Sequence, residues 1–367
     1  MFKQYKLKNY KFILVLFVVI LNVIGILLIG SAKPSVQSKQ IVGMIAGLSI
    51  MVILSLIDYN FILKFAWLIY LFMLGTLLLV MFAGDDAGGA QRWFEIGGFR
   101  FQPSELAKIL IILFFAYFFM KHEEKINTPK VLIMSLILAG MPLALILKQQ
   151  DLSTTIVTAL IFAAVLFVAR LSYKIVVGVL AVSVPSAIIL FTLLIQDKLP
   201  FIKSYQVTRV MAWLYPDDYP ADAYQQQNSI MAIGSGQLWG KGLNNTDATS
   251  VKNGNFIPEP QTDFIFAVAG EELGFIGTVI IIILLLFITI ECILIARKAK
   301  DTAGKMICCG FAALVGFQSL VNIGVASGVL PNTGLPLPFV SYGLTSLLSL
   351  YIGVGLVLNV GLQPKKY

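Results

Sequence analysis

His122 is the only histidine of this 367-residue chain and lies in a charged stretch between apolar runs. Proton transfer would therefore fall to carboxylates, Lys or Arg, and a His-ligated metal is excluded. Four stretches concentrate such residues. In GAQRWFEIGGFRFQPSELAKI (89–109), Glu105 and Lys108 stand three apart, neighbours on one face of a helix that Pro103 can open. Gln102 or Ser104 could satisfy the first amides of that helix, and Arg92 beside Trp93 suits an anion, a sugar or the bilayer interface. KQQDLSTT (148–155) sets Asp151 at the start of an apolar run, as a first-turn carboxylate or a functional one. PEPQTDFIFAVAGEELGFIG (258–277) carries Asp263, which like Thr262 could simply cap a helix. Glu271 and Glu272 fall about 80° and 180° around from it, so the three carboxylates do not share a face. NIGVASGVLPNTGLPLPFVSYG (322–343) mixes prolines and glycines between two apolar runs, the pattern of a broken or re-entrant segment lining a cavity.

These stretches interrupt a chain too apolar for water. Hydrophobic residues make up 58% of it and charged residues 13%, about half the charge of an ordinary soluble domain. The apolar residues fall in long runs such as Phe12–Ile29 and the uncharged Phe275–Ile290, each covering most or all of a ~30 Å hydrocarbon layer. Without period-two alternation they read as helices and not as a barrel. The expected fold is an all-α polytopic integral membrane protein, one transmembrane domain of about ten spans. The spans fall near 12–32, 39–57, 62–83, 103–120, 131–147, 152–170, 173–195, 262–296, 303–329 and 337–362. The stretch 262–296 exceeds one perpendicular crossing, so its first turns should stand outside the hydrocarbon. The first run follows Lys3, Lys6, Lys8 and Lys11 but outruns a secretory signal core, so it counts as a span. Cys292, Cys308 and Cys309 sit in apolar segments without CxxC spacing and read as small packing residues.

Basic residues concentrate in alternate loops, from Lys3–Lys11 through Lys121–Lys130 and Arg297–Lys305 to Lys365 and Lys366. The intervening short loops hold only Lys33, Lys39, Arg92, Arg100 and Lys148, which places both termini in the cytoplasm. The net charge of +8 then suits a basic face against anionic lipid and not nucleic acid. Residues 84–102 and the long polar loop 196–261 both fall outside, and connections of that length are usually functional or disordered.

Taken jointly, GAQRWFEIGGFRFQPSELAKI, IGSGQLWGKGL (233–243), PEPQTDFIFAVAGEELGFIG and LPNTGLPLPFVSYG (330–343) resemble the SEDS family of bacterial cell-wall proteins, named for shape, elongation, division and sporulation. The resemblance spans essentially the whole chain. It implies the SEDS fold and a peptidoglycan glycosyltransferase of the bacterial cell membrane that polymerises lipid II into glycan strands. It also implies a class B penicillin-binding protein (a transpeptidase) and other cell-wall elongation proteins as partners. The family's catalytic Asp falls on Asp263, its QPSE cavity residues on Gln102, Ser104, Glu105 and Lys108, and its membrane-edge Asp on Asp151. The GAQRW and GKGL strings and the short termini favour the RodA branch over the FtsW and SpoVE branches. The chain departs from the pattern at Gln150 (usually Pro), Ser153 (usually Gly), Gln261 (commonly His) and Leu344 (usually Gly).

In such a transfer the acceptor 4-hydroxyl displaces a diphosphate from the anomeric carbon with inversion. The hydroxyl needs a base, whereas a diphosphate leaves unprotonated, so one carboxylate suffices, and Asp263 is the expected one. Arg92, Lys108, Arg209 and Lys241 are candidate counter-charges for the diphosphate, with a divalent cation such as Mg2+ as substitute or addition. Trp93 and Ser341 complete the expected substrate contacts. The rival readings are a lipid II flippase, which needs polar groups toward both membrane faces, and a non-catalytic scaffold, for which Asp263 is dispensable. The topology predicts that single cysteines at positions 245 and 366 label from opposite sides of the membrane. Labelling from one side would contradict it.

Overall fold

The structure, a computed structural model, describes residues 9–87, 90–96, 99–195, 204–245, 250, 254 and 256–363. The terminal lysines 3, 6, 8, 365 and 366 that entered the orientation argument, and parts of the outer stretches 84–102 and 196–261, lie outside the described residues. The chain is a multi-pass helical membrane protein. Eight helices are long and apolar enough to cross a bilayer: α1 (Phe12–Ala32), α2 (Pro34–Leu56), α4 (Ala66–Ala83), α5 (Pro103–Lys121), α6 (Pro129–Lys148), α11 (Ile265–Lys298), α12 (Thr302–Ala326) and α13 (Leu344–Leu362). The apolar helices α7 (Leu152–Val168) and α8 (Tyr173–Ile195) bring the number to ten among the described residues. The short α3 (Tyr59–Leu63) precedes α4, and α9 (Ser204–Leu214) and α10 (Pro220–Ser235) lie in the long connection before α11.

Proline opens α2, α5, α6 and α10 at the first turn, where a missing N–H breaks no intrahelical bond. Helices α5, α12 and α13 are buried over most of their length, whereas α2 and α4 turn most of theirs outward. Outward residues such as Phe12, Leu68 and Phe82 form the apolar exterior that lipid requires. Close packing of α2 on α13 depends on small residues. A Cβ on Gly47 would lie 2.1 Å from the Tyr351 ring, and one on Gly355 would lie 2.8 Å from the Met51 carbonyl oxygen.

The helices depart from the expected spans where polar residues find partners inside the bundle. Helix α2 begins at Pro34, not near 39, because Gln37 and Gln40 donate to the carbonyls of Ile26 and Ser341. The expected span 62–83 divides into α3 and α4, and the last helix begins only at Leu344 because the three-proline stretch before it is irregular. Between α4 and α5 three strands form a small antiparallel sheet ordered β1 (Asp85–Ala87), β2 (Ala90–Ile96), β3 (Phe99–Phe101). Backbone pairing of this kind leaves no apolar signature in so short a segment.

The over-long α11 is broken at Gly274, which has φ 66° and ψ −165°. The amides freed there, Phe275 and Ile276, donate to the carbonyls of Gln237 and Leu238 at 2.8 and 3.2 Å. In return the amides of Lys241 and Gly242 donate to the carbonyls of Glu271 and Glu272 at 2.9 and 3.0 Å. The 237–242 segment thus completes the hydrogen bonding of the broken helix, and the left-handed backbone of its Gly240 and Gly242 suits glycine. Gly240 has φ 78°, and a Cβ on it would lie 2.2 Å from the Glu272 carbonyl oxygen. Gly240→Ala should therefore lower the thermal stability of the purified protein clearly, with backbone strain alone contributing about 1–3 kcal/mol. Gly140→Ala, inside α6 with open space around it, should stay within about 1 kcal/mol of the parent. Equal stability of the two variants would contradict the insertion.

Candidate active site

A cavity of about 270 Å³ opens where α5, α7 and α9 meet the 259–264 turn and the irregular 333–343 segment. Of the expected site residues, Arg92, Trp93, Gln102, Glu105, Asp151, Arg209 and Asp263 line it. Glu259, Thr333, Gly334, Tyr342 and Thr345 line it as well, and sequence reasoning did not single them out.

Asp263 is not a helix cap. Helix α11 starts at Ile265, its N-cap position is Phe264, and no side chain caps it. The Thr262 hydroxyl is spent on the Glu259 carbonyl. The Asp263 carbonyl accepts a hydrogen bond from Asn322 Nδ2 at 2.8 Å. Its carboxylate faces Gly334, where φ is 74° and a Cβ would stand 3.3 Å from Oδ2. Removal from water pushes the Asp263 carboxyl up to about 6. Arg209 pulls it down, and Glu259, Asp151 and Glu105 push it further up. A carboxylate so placed is a base matched to neutral pH.

Asp151 does cap α7. One oxygen accepts from the Thr154 amide at 3.1 Å, and the other accepts a long contact of 3.5 Å from Gln102 Nε2. Gln102 and Ser104 therefore do not cap α5, which has no side-chain cap. The turn before Asp151 is strained, with Gln150 at φ 63°, and Arg92 straps it by donating to the carbonyls of Gln149 and Gln150 at 2.9 and 2.6 Å. Ser153 donates to the Thr333 carbonyl at 2.6 Å and ties α7 to the cavity wall.

Glu105 and Lys108 form a buried pair at 2.6 Å. Lys108 lies beneath the cavity and not on its lining, and its ammonium donates also to Gln318 Oε1 at 2.7 Å. Gln318 in turn donates to the Pro336 carbonyl at 2.9 Å. A charge this deep is held by partners on both sides, and removing one would cost about 3–5 kcal/mol.

Three other expected contacts lie elsewhere. Lys241 pairs with Glu271 at 2.9 Å in a separate cavity between α10 and α11, because the inserted 237–242 segment carries it away from Asp263. Ser341 turns inward, donating to the Thr262 carbonyl and accepting from the Leu337 amide, so it joins two irregular segments. Ser104 is buried within α5. Arg209 and Arg92 are the cations at the cavity wall, the former also donating to the Asn332 carbonyl at 3.2 Å. Among the described residues no group of three or more His, Cys, Asp or Glu is placed to hold a metal ion.

The FtsW, RodA and SpoVE family model, described as cell cycle protein, matches residues 6–366. The chain belongs to this family. It is 38% identical to peptidoglycan glycosyltransferase MrdB of Escherichia coli, over 88% of this chain and 85% of that one. It is 32% identical to the probable peptidoglycan glycosyltransferase FtsW of Geobacter metallireducens, over 98% of this chain and 96% of the relative. Among solved structures, the rod shape determining protein RodA of Thermus thermophilus superposes with a TM-score of 0.68 at 28% identity, covering 96% of each chain. A chain from a peptidoglycan synthase complex, solved to show how polymerization and crosslinking are coordinated, superposes with a TM-score of 0.77 at 30% identity. It covers 96% of this chain and 97% of its own length.

If Asp263 accepts a proton in the reaction, turnover should fall about tenfold per unit as pH drops below about 6 and level off above it. Because Arg209 favours the ionised form, Arg209→Gln should move that acid limb upward. A downward or absent shift in the pH–rate profile would contradict the assignment.

Proposed function

We propose that this protein is a membrane peptidoglycan glycosyltransferase that polymerises lipid II, with Asp263 as general base. The observation that carries the reading is a carboxylate at a cavity wall, free of any capping role, raised toward neutral pH and faced by Arg209. Asp263 takes the proton of the acceptor 4-hydroxyl as its oxygen bonds to the donor's anomeric carbon. The bond to the polyprenyl diphosphate breaks, and the diphosphate leaves with the electron pair, neutralised by Arg209 with Arg92. A single displacement inverts the anomeric centre. Glu105 and Asp151 shape the cavity and raise the basicity of Asp263.

A flippase would need a polar route to the opposite end of the bundle. Beneath Lys108, helix α5 instead closes on buried Phe114, Phe115, Phe118 and Phe119, which supports transfer at one face. That face is the outer one by the distribution of Lys and Arg, with both termini cytoplasmic. The likeness to the rod shape determining protein RodA and the GAQRW and GKGL strings support a role in elongation and shape maintenance. A class B penicillin-binding protein as partner is supported by the synthase-complex neighbour and by the large outer connection, which offers a docking surface.

The test is glycan polymer formed from labelled lipid II by purified, monodisperse protein, alone and with a co-expressed class B penicillin-binding protein. Asp263→Asn keeps the size of the side chain and removes its basicity. Polymerisation should fall by about 10²–10⁴-fold while lipid II still binds, and the partner should raise the activity of the parent only. Near-parental polymerisation by Asp263→Asn would refute the assignment.

A further inference from the structure

Helix α12 carries two amides, Gln318 and Asn322, one turn apart in its largely apolar second half, and both are buried. Each reaches the same irregular strand. Gln318 Nε2 donates to the Pro336 carbonyl at 2.9 Å, and Asn322 Nδ2 donates to the neighbouring Leu335 carbonyl at 2.6 Å. Asn322 does more than Gln318, because the same nitrogen donates its second hydrogen to the Asp263 carbonyl at 2.8 Å. One NH2 group therefore joins the backbone of the proposed base to the strand next to Gly334, the residue its carboxylate faces. The other end of the amide, Asn322 Oδ1, is buried without a hydrogen-bond partner among the described residues. A buried polar atom left unpaired is a cost, and here the two donor contacts are what it is retained for.

We propose that Asn322 is a positioning residue for Asp263, fixing the carboxylate against the Gly334–Leu335 strand at the distance the reaction requires. The proposal rests on the reading of Asp263 as the base. The chemistry is specific to a carboxamide. Leu fills the same volume but leaves two buried carbonyls bare, and Asp would set a carboxylate against two carbonyl oxygens. Ser keeps one donor and can serve one carbonyl only. Gln318 places the Glu105–Lys108 pair on the same strand through its Oε1, so α12 aligns the cavity's ion pair and its proposed base from one helix face.

A purely structural clamp would lower stability without a selective effect on turnover, and the protein contains a matched control. Gln226 on α10 also donates to two carbonyls, Val325 in the last turn of α12 at 2.8 Å and Leu330 in the irregular segment at 2.7 Å, and no hydrogen bond joins it to Asp263. The experiment compares Asn322→Leu, Asn322→Ser and Gln226→Leu in purified full-length protein, recording thermal stability, kcat and KM for lipid II. Asn322→Leu should lower kcat by about 10²-fold with KM within about threefold, as a shift of about 1 Å in a reacting group does. Gln226→Leu should lose comparable stability with kcat within about threefold of the parent. If Asn322→Leu does not yield folded protein, Asn322→Ser carries the test, with an expected fall in kcat of about tenfold at unchanged KM. Parental kcat in the folded Asn322 variants, or an equal fall in kcat for Gln226→Leu, would overturn the proposal and leave the assignment of Asp263 untouched. Full activity of Asp263→Asn would instead remove the reading on which it rests.

Discussion

Irregular backbone at the edge of a membrane must have its hydrogen bonds supplied by the protein, because lipid offers none. That constraint governs residues 327–343, where Pro331, Pro336 and Pro338 contribute carbonyls but no N–H groups. The segment therefore carries surplus acceptors, and the surrounding elements answer with side-chain donors. Gln40 on α2, Ser153 on α7, Arg209 and Trp213 on α9, Gln226 on α10 and Gln318 and Asn322 on α12 all donate to its carbonyls. Ser341 and the Tyr342 amide then fasten the segment to the carbonyls of Thr262 and Gln261, next to Asp263. The cavity lies between the part of the segment that Ser153, Asn322 and Ser341 hold and the turn that carries Asp263.

The same logic limits where charge can sit. Lys108 is tolerated deep in the bundle because Glu105 and Gln318 both receive its hydrogens, which leaves it little freedom to serve a substrate. Arg92 has committed two N–H groups to the turn that carries Asp151, so its contribution to an anion comes through the remaining face of the guanidinium. Arg209 both supports the irregular segment and lowers the cost of an ionised Asp263. Substrate charge would thus be met by groups already held by backbone carbonyls, a preorganised arrangement that need not rearrange as charge develops.

What could be read from the sequence follows the range of the interactions. The membrane helices and the Glu105–Lys108 pair were legible because both depend on local periodicity. Asp263 stood out as a carboxylate bordering an apolar run, but its release from capping depends on where α11 begins, two residues later. Lys241 and Ser341 were misplaced for a different reason. Their partners lie 30 and 79 residues away and are chosen by the insertion of 237–242 into α11 and by the pairing of two irregular segments. The helices α9 and α10 were hidden in a connection of mixed polarity: α9 is amphipathic, but α10 buries Gln226, Asn228 and Ser229 and leaves Ile230 and Met231 exposed, so no apolar face marks it. Gln318 and Asn322 did leave a signal, two amides one turn apart inside a membrane helix, a pattern that merits the same attention as a buried charge.

The account stands on lipid-linked substrate reacting in the cavity where Asp263, Arg209 and Gly334 meet. The most direct measurement is a structure of the protein in a lipid nanodisc with a non-reactive lipid II analogue and an acceptor glycan bound. The account predicts the acceptor 4-hydroxyl within hydrogen-bond reach of the Asp263 carboxylate, about 2.6–3.2 Å, with the diphosphate against Arg209. A headgroup seated instead between α10 and α11 beside Lys241 and Glu271, with the Asp263 cavity empty, would contradict it.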